Sequence, residues 1–245
     1  MAWTLNNLAL IVSLTADHLQ QSLIAIVAGF ALSLPLGWAA WRVRWLRSTI
    51  LTATGVLYTI PSLALLLILP VAIGYPATSE VNLIVALTIY AIAIMVRAVV
   101  EGLDSVDASA REAATAIGYG STRRFWTVDL PLAGPVILAG VRVAAVSTIS
   151  LATVGILVGV TNLGYLFTDG LQRRIIAEVL AGIVAVAVIA VVIDLILLCV
   201  GRLVMPWTHA SHARTRRQIS TTRTLQASQT SRTPASTPAR SEELR

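Results

Sequence analysis

Residues 112–131 read "EAATAIGYGSTRRFWTVDLP". The stretch carries charges at Glu112, Arg123, Arg124 and Asp129, two glycines and a closing proline, and long apolar runs flank it on both sides. The chain has 245 residues, of which 56% are hydrophobic and only 12% charged. That is half the charged share of a soluble domain, roughly 25%. Apolar residues bunched in this way predict an all-α, polytopic integral membrane protein, and the polar stretch becomes a loop between spans.

A helix crosses the bilayer core with about 20 apolar residues. Five stretches meet this need: 19–40, 50–74, 81–101, 132–160 and 176–201. The second is interrupted by Pro61 and Pro70. The fourth is longer than required and can tilt or end early. The predicted organisation is an N-terminal interfacial segment over 1–18, a transmembrane domain over 19–205 with a cytoplasmic loop at 102–131, and a disordered basic tail over 206–245. The opening residues lack a basic n-region and do not read as a cleavable signal peptide.

Arginine placement sets the orientation, since the chain contains no lysine. With loop 102–131 in the cytoplasm, Arg42, Arg44, Arg47, Arg111, Arg123, Arg124, Arg202 and the seven tail arginines lie inside, against Arg173 and Arg174 outside. The positive-inside rule selects this arrangement in a bacterial inner (plasma) membrane, with the N-terminus outside and the C-terminus in the cytoplasm. Trp38, Trp41, Trp45, Trp126 and Trp207 fall near the cytoplasmic boundaries, as amphipathic rings do at headgroup level. Five of the six net positive charges sit after Ala210. A basic tail beside a membrane is read either as merely solvated or as bound to anionic lipid, and gives no support for nucleic-acid binding.

Several chemistries find no residues to carry them. A phosphate loop needs a lysine, and this chain has none. The histidines are His18, expected near the outer surface, and His209 and His212 in the tail; none is placed to serve a hydrolytic triad. One cysteine, Cys199, excludes an intramolecular disulfide and a cysteine-built metal cluster, and no metal site is expected. The chain is therefore read as a non-enzyme, and uphill transport would draw on a partner or an ion gradient. Two charges lie deep in predicted spans, Arg142 and Asp194. Counted from the cytoplasmic ends, both sit roughly 12–17 Å into the membrane. They can pair, which removes most of the cost of two lone charges in lipid. The pair is read as structural or as part of a pathway.

Within the loop, "SVDASAREAATAIG" predicts a short helix, capped by Ser105 or Asp107 and ended by Gly118. Its alanines leave a low, flat surface suited to close docking. The following "STRRFWTVDLP" places Phe125 and Trp126 at the interface, and Pro131 near the first turn of the next span. By itself this is a cytoplasmic docking hairpin or an ordinary amphipathic connector.

The run Glu112-Ala113-Ala114, three residues, Gly118, nine residues, Val128, one residue, Leu130-Pro131 resembles the EAA loop of ATP-binding-cassette importer permeases, EAA-x3-G-x9-I-x-LP. The single departure is Val128 for isoleucine. The resemblance implies the type I importer permease fold. It also implies that the loop forms a coupling helix docking on a separate ATPase dimer through Arg111, Glu112, Ala113, Ala114, Gly118, Leu130 and Pro131. ATP-Mg would bind that partner, and no cofactor would bind this chain.

A narrower likeness covers residues 18–202. "HLQQSLIA", "YTIPSLALLLILPVAIG", "LPLAGPVILAGVRVAAVSTISLATVGILVG" and "NLGYLFTDGLQR" are similar to the permeases for glycine betaine, carnitine and choline. Thr161-Asn162 stands where those permeases often have two glycines, and the basic tail is not a feature of theirs. The likeness implies a second permease subunit, identical or paralogous, and an extracellular or periplasmic substrate-binding protein. Tyr58, Thr59, Pro61 and Ser62, with Ser147, Ser150 and Thr153, are candidates to line the translocation path; packing of small polar residues between helices is the alternative for each. Two other functions stay open at this point: a sister permease for amino acids such as methionine, and a membrane scaffold without transport.

Overall fold

The structure, a computed structural model, describes residues 2–207. Residues 2–204 form one unit; Met205 opens a second, of which residues 205–207 are described. The expected disordered tail, with His209 and His212, lies from residue 208 on outside the described residues.

The described unit is all-helical: α1 (Ala2–Asn6), α2 (Leu8–Arg42), α3 (Arg44–Thr59), α4 (Ser62–Ile73), α5 (Glu80–Asp104), α6 (Ala108–Ala116), α7 (Ser121–Arg124), α8 (Leu130–Ala152), α9 (Gly164–Gln172) and α10 (Ile176–Val204). A five-residue π-helix (Phe125–Asp129) joins α7 to α8, and a 3₁₀ turn (Thr153–Val158) follows α8. Four helical stretches are long and apolar enough to cross a membrane, and the bent pair α3–α4 makes a fifth if counted as one span.

The first span is longer than its hydropathy predicts. α2 runs unbroken from Leu8, so no boundary in the helix separates residues 8–18 from the span. The polar residues that mark a boundary in sequence are instead buried: His18, Gln21 and Ser22 are fully covered. His18, expected near the outer surface, donates a hydrogen bond from Nε2 to the Ile149 carbonyl at 3.0 Å.

α5 is the central helix, 61% buried across its most apolar window, against 6% for α10. Small residues let α2 and α8 close on it. A Cβ at Gly140 would lie 2.0 Å from the Ala98 Cβ, and one at Gly37 would lie 2.5 Å from Val99. In lipid, such close approach is a main source of helix association. Leu103, Met95, Val99, Ile137 and Ile149 fill the space between these helices.

The second span breaks where its prolines predict interruption, but the two prolines act differently. Pro61 has no N–H and pushes Ile60 into an extended conformation. Ile60 (φ −65°, ψ 127°) and Pro61 (φ −57°, ψ 131°) together bend α3 against α4 by 110°. Pro70 stays inside α4. It deprives the Leu66 carbonyl of its helical donor, and Asn82 Nδ2 replaces that donor at 3.0 Å. The fourth span ends early in the α-helical sense, at Ala152, and continues as the 3₁₀ turn.

Candidate coupling and translocation sites

The loop helix forms as its sequence dictates. Asp107 is the N-cap of α6 and accepts the Ser109 N–H at 2.8 Å, an interaction that holds its carboxyl below the usual carboxylate range. Ser105 belongs to the preceding helix, as the C-cap of α5. Gly118 ends α6 with φ +90°, the left-handed conformation that favours glycine. The Gly118 N–H reaches the Thr115 carbonyl and the Tyr119 N–H the Ala114 carbonyl, both at 3.0 Å, closing the helix end.

The motif residues divide by exposure. Glu112, Ala113, Ala116 and Gly118 are exposed, and Ile117 is 74% exposed. Ala114 is buried against the rest of the chain, and Leu130 and Pro131 are half-buried at the start of α8. Arg111, Glu112, Thr115, Ala116 and Arg124 line a shallow groove of about 300 Å³. A flat alanine floor with a lone apolar knob and one carboxylate can seat against a second protein.

Arg111 faces inward. Its Nε donates to Asp129 Oδ1 at 3.0 Å, its Nη2 to the Leu103 carbonyl, and its guanidinium lies 4.9 Å from the Trp41 ring centroid. Asp129 is 1% exposed and also accepts from Arg124 Nε at 3.3 Å; Arg124 in turn donates to Thr115 Oγ1. Nothing in the local pattern around residue 129 marks this role, because Asp129 occupies a variable position of the EAA pattern.

The candidate path residues lie in two places, the α3–α4 break and the end of α8. At the break, Tyr58 is 54% exposed, Thr59 and Pro61 are exposed and Ser62 is half-buried. On α8, Ser150 is exposed and Ser147 half-buried, and Thr153, which opens the 3₁₀ turn, is half-buried. The hydroxyls of Thr59 and Thr153 donate back to the Val56 and Ser150 carbonyls, each at 2.7 Å. Tyr90, which sequence reasoning missed, holds the break: its hydroxyl donates to the Ile60 carbonyl, and its ring meets Tyr58 edge-on at 6.3 Å. The structure also joins Arg142 to Asp194 across α8 and α10.

At the other end of the spans, Asn162 is fully buried and fully engaged. Its Nδ2 donates to Ala152 O at 2.7 Å and to Gln21 Oε1 at 3.1 Å, and its Oδ1 accepts the Gly164 N–H at 2.8 Å. Gln21 Nε2 reaches the Thr161 carbonyl. This buried network fastens α2 to the turn before α9. Among the described residues no group of three or more potential metal ligands occurs.

Comparison with known proteins places this architecture. The family described as "Binding-protein-dependent transport system inner membrane component" matches residues 25–209. The osmoprotectant import permease protein OsmW of Salmonella typhimurium is 32% identical over 198 residues, covering 80% of this chain and 92% of that protein. The choline transport system permease protein OpuBB of Bacillus subtilis is 32% identical over 192 residues, covering 78% and 87%. The glycine betaine/carnitine/choline permease OpuCB of the same organism is 31% identical over an equal length. Among solved structures, an inward-facing MetNI methionine ABC transporter aligns with TM-score 0.74 at 21% identity, covering 81% of this chain and 98% of that one; this likeness establishes the type I importer permease fold. The chain therefore belongs to the family of binding-protein-dependent transport system inner membrane components.

Proposed function

We propose that the chain is the membrane-spanning permease subunit of an ATP-driven importer for a compatible solute of the quaternary ammonium class, such as glycine betaine, choline or carnitine. The observation that carries this reading is the identity of about one third to osmoprotectant, choline and carnitine permeases over four-fifths of the chain. The exposed small-residue helix α6 supports it.

In this reading α6 docks on a cytoplasmic ATPase dimer through the exposed Glu112, Ala113 and Gly118, with the buried Ala114 seating the helix on its own chain and Leu130 and Pro131 carrying the motion into α8. Hydrolysis of ATP-Mg belongs to that partner. A second permease subunit, identical or paralogous, completes the path, and the bare face of α10 and the polar strip Ser147, Ser150 and Thr153 await a neighbour or lipid. A separate substrate-binding protein delivers solute on the outer side, where α2 begins, and the C-terminal tail lies in the cytoplasm. ATP binding closes the ATPase pair, and the spans rock between inward- and outward-open states.

At the helix break, Tyr58, Thr59, Pro61 and Ser62 line the path. A quaternary ammonium offers no hydrogen-bond donor, so an aromatic face, worth about 0.5–2 kcal/mol, and the negative carbonyl end of α3 are the groups that attract it. Such weak attraction suits a site that must release its cargo.

The test is uptake of labelled glycine betaine, choline, carnitine and methionine in cells lacking other importers, with the chain co-expressed with its candidate ATPase and binding protein. Uptake of one of the first three, dependent on this chain, is expected. Methionine uptake alone would reassign the substrate, and no uptake together with no ATPase in a pull-down would reduce the chain to a scaffold.

A further inference from the structure

The guanidinium of Arg111 touches the cytoplasmic ends of three different spans. It stacks over Trp41 near the end of α2, donates to the Leu103 carbonyl at the end of α5, and pairs with Asp129 immediately before α8. It does so from the coupling helix itself, one residue before the exposed Glu112. We propose that Arg111 and Asp129 are positioning residues that form an internal strut, through which a displacement of α6 reaches α2, α5 and α8 together. This rests on the reading of α6 as the ATPase-docking helix, and it moves Arg111 from the docking face to the transmission behind it.

The chemistry of the site favours a strut over a docking group. Asp129 is almost fully enclosed and lies between two guanidiniums, Arg111 and Arg124, so its charge is already committed within the chain. Arg124 returns to α6 through Thr115 Oγ1 at 3.1 Å, so the helix is gripped twice, one turn apart. Only a planar, multi-donor cation can meet a carboxylate, a carbonyl and an aromatic face at once; a lysine ammonium on a flexible stem cannot hold all three. Asp129 closes a π-helical turn, a rare form that occurs mostly as single turns within α-helices and is frequent at functional sites. Phe125 in the same turn packs on Trp38 of α2, with ring centroids 5.8 Å apart. The neighbour of Leu103 extends the linkage: Asp104 pairs with Arg47 of α3, Nη2 to Oδ2 at 2.6 Å, so the helix leading to the Pro61 break is tied to the same node. Glu112, Ala113 and Ile117 remain free on the outer side for a partner.

The experiment uses the complete importer, permease with ATPase and substrate-loaded binding protein, reconstituted in proteoliposomes, and reads solute taken up per ATP hydrolysed. Arg111→Lys and Asp129→Asn are expected to keep the ATPase subunits at wild-type stoichiometry and to keep hydrolysis running. Uptake per ATP should fall about tenfold, the signature of an interaction used in the conformational step and not in assembly. A purely structural role would lower uptake and hydrolysis together, and that outcome overturns the strut. So does wild-type uptake per ATP in both variants, loss of the ATPase from the Arg111→Lys complex, or failure of both variants to accumulate. Glu112→Lys separates the two readings: if it leaves association and uptake intact, the docking reading of α6 itself falls, and the strut with it.

Discussion

The Arg142 guanidinium and the Asp194 carboxylate meet side by side, Nε to Oδ1 and Nη2 to Oδ2, both at 2.7 Å. The pair bridges α8 and α10 near the middle of the spans, beside the apolar contacts of Ile189, Ile193 and Leu197 that hold one face of α10 on the core. Two parallel hydrogen bonds in the fork geometry of arginine specify one rotational setting of each helix.

Either charge left alone in hydrocarbon is costly, whereas removing both is tolerated. Arg142→Leu and Asp194→Leu singly are expected to lower the amount of folded permease in membranes by about an order of magnitude. The double substitution should restore most of it. Detergent-resistant permease levels and solute uptake, measured side by side, check this; a restored level with lost uptake would assign the pair to transport instead of structure.

Packing of α5 gives a second expectation. Gly140 faces Ala98 with no room for a Cβ, while Gly55 on α3 has open space around it. Gly140→Leu should force α8 away from α5 and prevent accumulation of the folded protein. Gly55→Leu should be tolerated at near wild-type levels. Equal behaviour of the two in a thermal-stability assay on purified permease would remove close glycine packing as the basis of the core.

How much of this was legible in the sequence depends on the range of the contact. The loop helix α6 was, because its determinants are local: Asp107 caps it and Gly118 ends it within a dozen residues. The Arg142–Asp194 encounter was legible from depth alone, since two opposite charges at one level of a bilayer have few other partners. The Arg111 node was not, because Trp41, Leu103 and Asp129 converge from three helices and only tertiary packing decides which arginine turns inward. The partners of His18 and Gln21 were not legible either, because they come from distant parts of the chain. Polarity marks a boundary in a hydropathy reading, but here their hydrogen bonds to Ile149, Thr161 and Asn162 make them part of the interior.

The C-terminus of α6 yields a graded prediction. A Cβ at Gly118 would meet nothing within 4 Å, so a substitution there costs only the φ of +90°. Left-handed backbone costs an L-residue roughly 1–2 kcal/mol, less for asparagine. Gly118→Ala should therefore loosen the end of α6 and reduce uptake several-fold, Gly118→Asn should do less, and Gly118→Asp should add a charge on the docking face and abolish uptake. Gly120→Ala, at an ordinary φ of −67° and also in open space, should have no effect. Amide exchange of residues 114–119, followed with uptake, checks the order; Gly120→Ala matching Gly118→Ala would show that backbone conformation is not what matters.

Tyr90 offers the sharpest test of the helix break. The bend leaves the Ile60 carbonyl without a helical donor, and the Tyr90 hydroxyl supplies one from α5. Tyr90 is 4% exposed, so its ring is fixed and water does not readily take its place. Tyr90→Phe keeps the edge-on contact with Tyr58 and removes only the donor, at a cost of about 1–3 kcal/mol for the unpaired carbonyl. The break should then lose its fixed angle, and with it the setting of Tyr58, Thr59 and Ser62. Because α6 lies at the far end of α5, ATPase association should be unchanged. Uptake should fall about tenfold, with a higher half-saturating solute concentration at the importer. Tyr58→Leu removes the exposed ring instead of the strut, and should weaken transport of choline more than it weakens assembly. Wild-type uptake in Tyr90→Phe would mean that Pro61 alone sets the angle, and loss of the ATPase from either variant would place these tyrosines in assembly and not in the path.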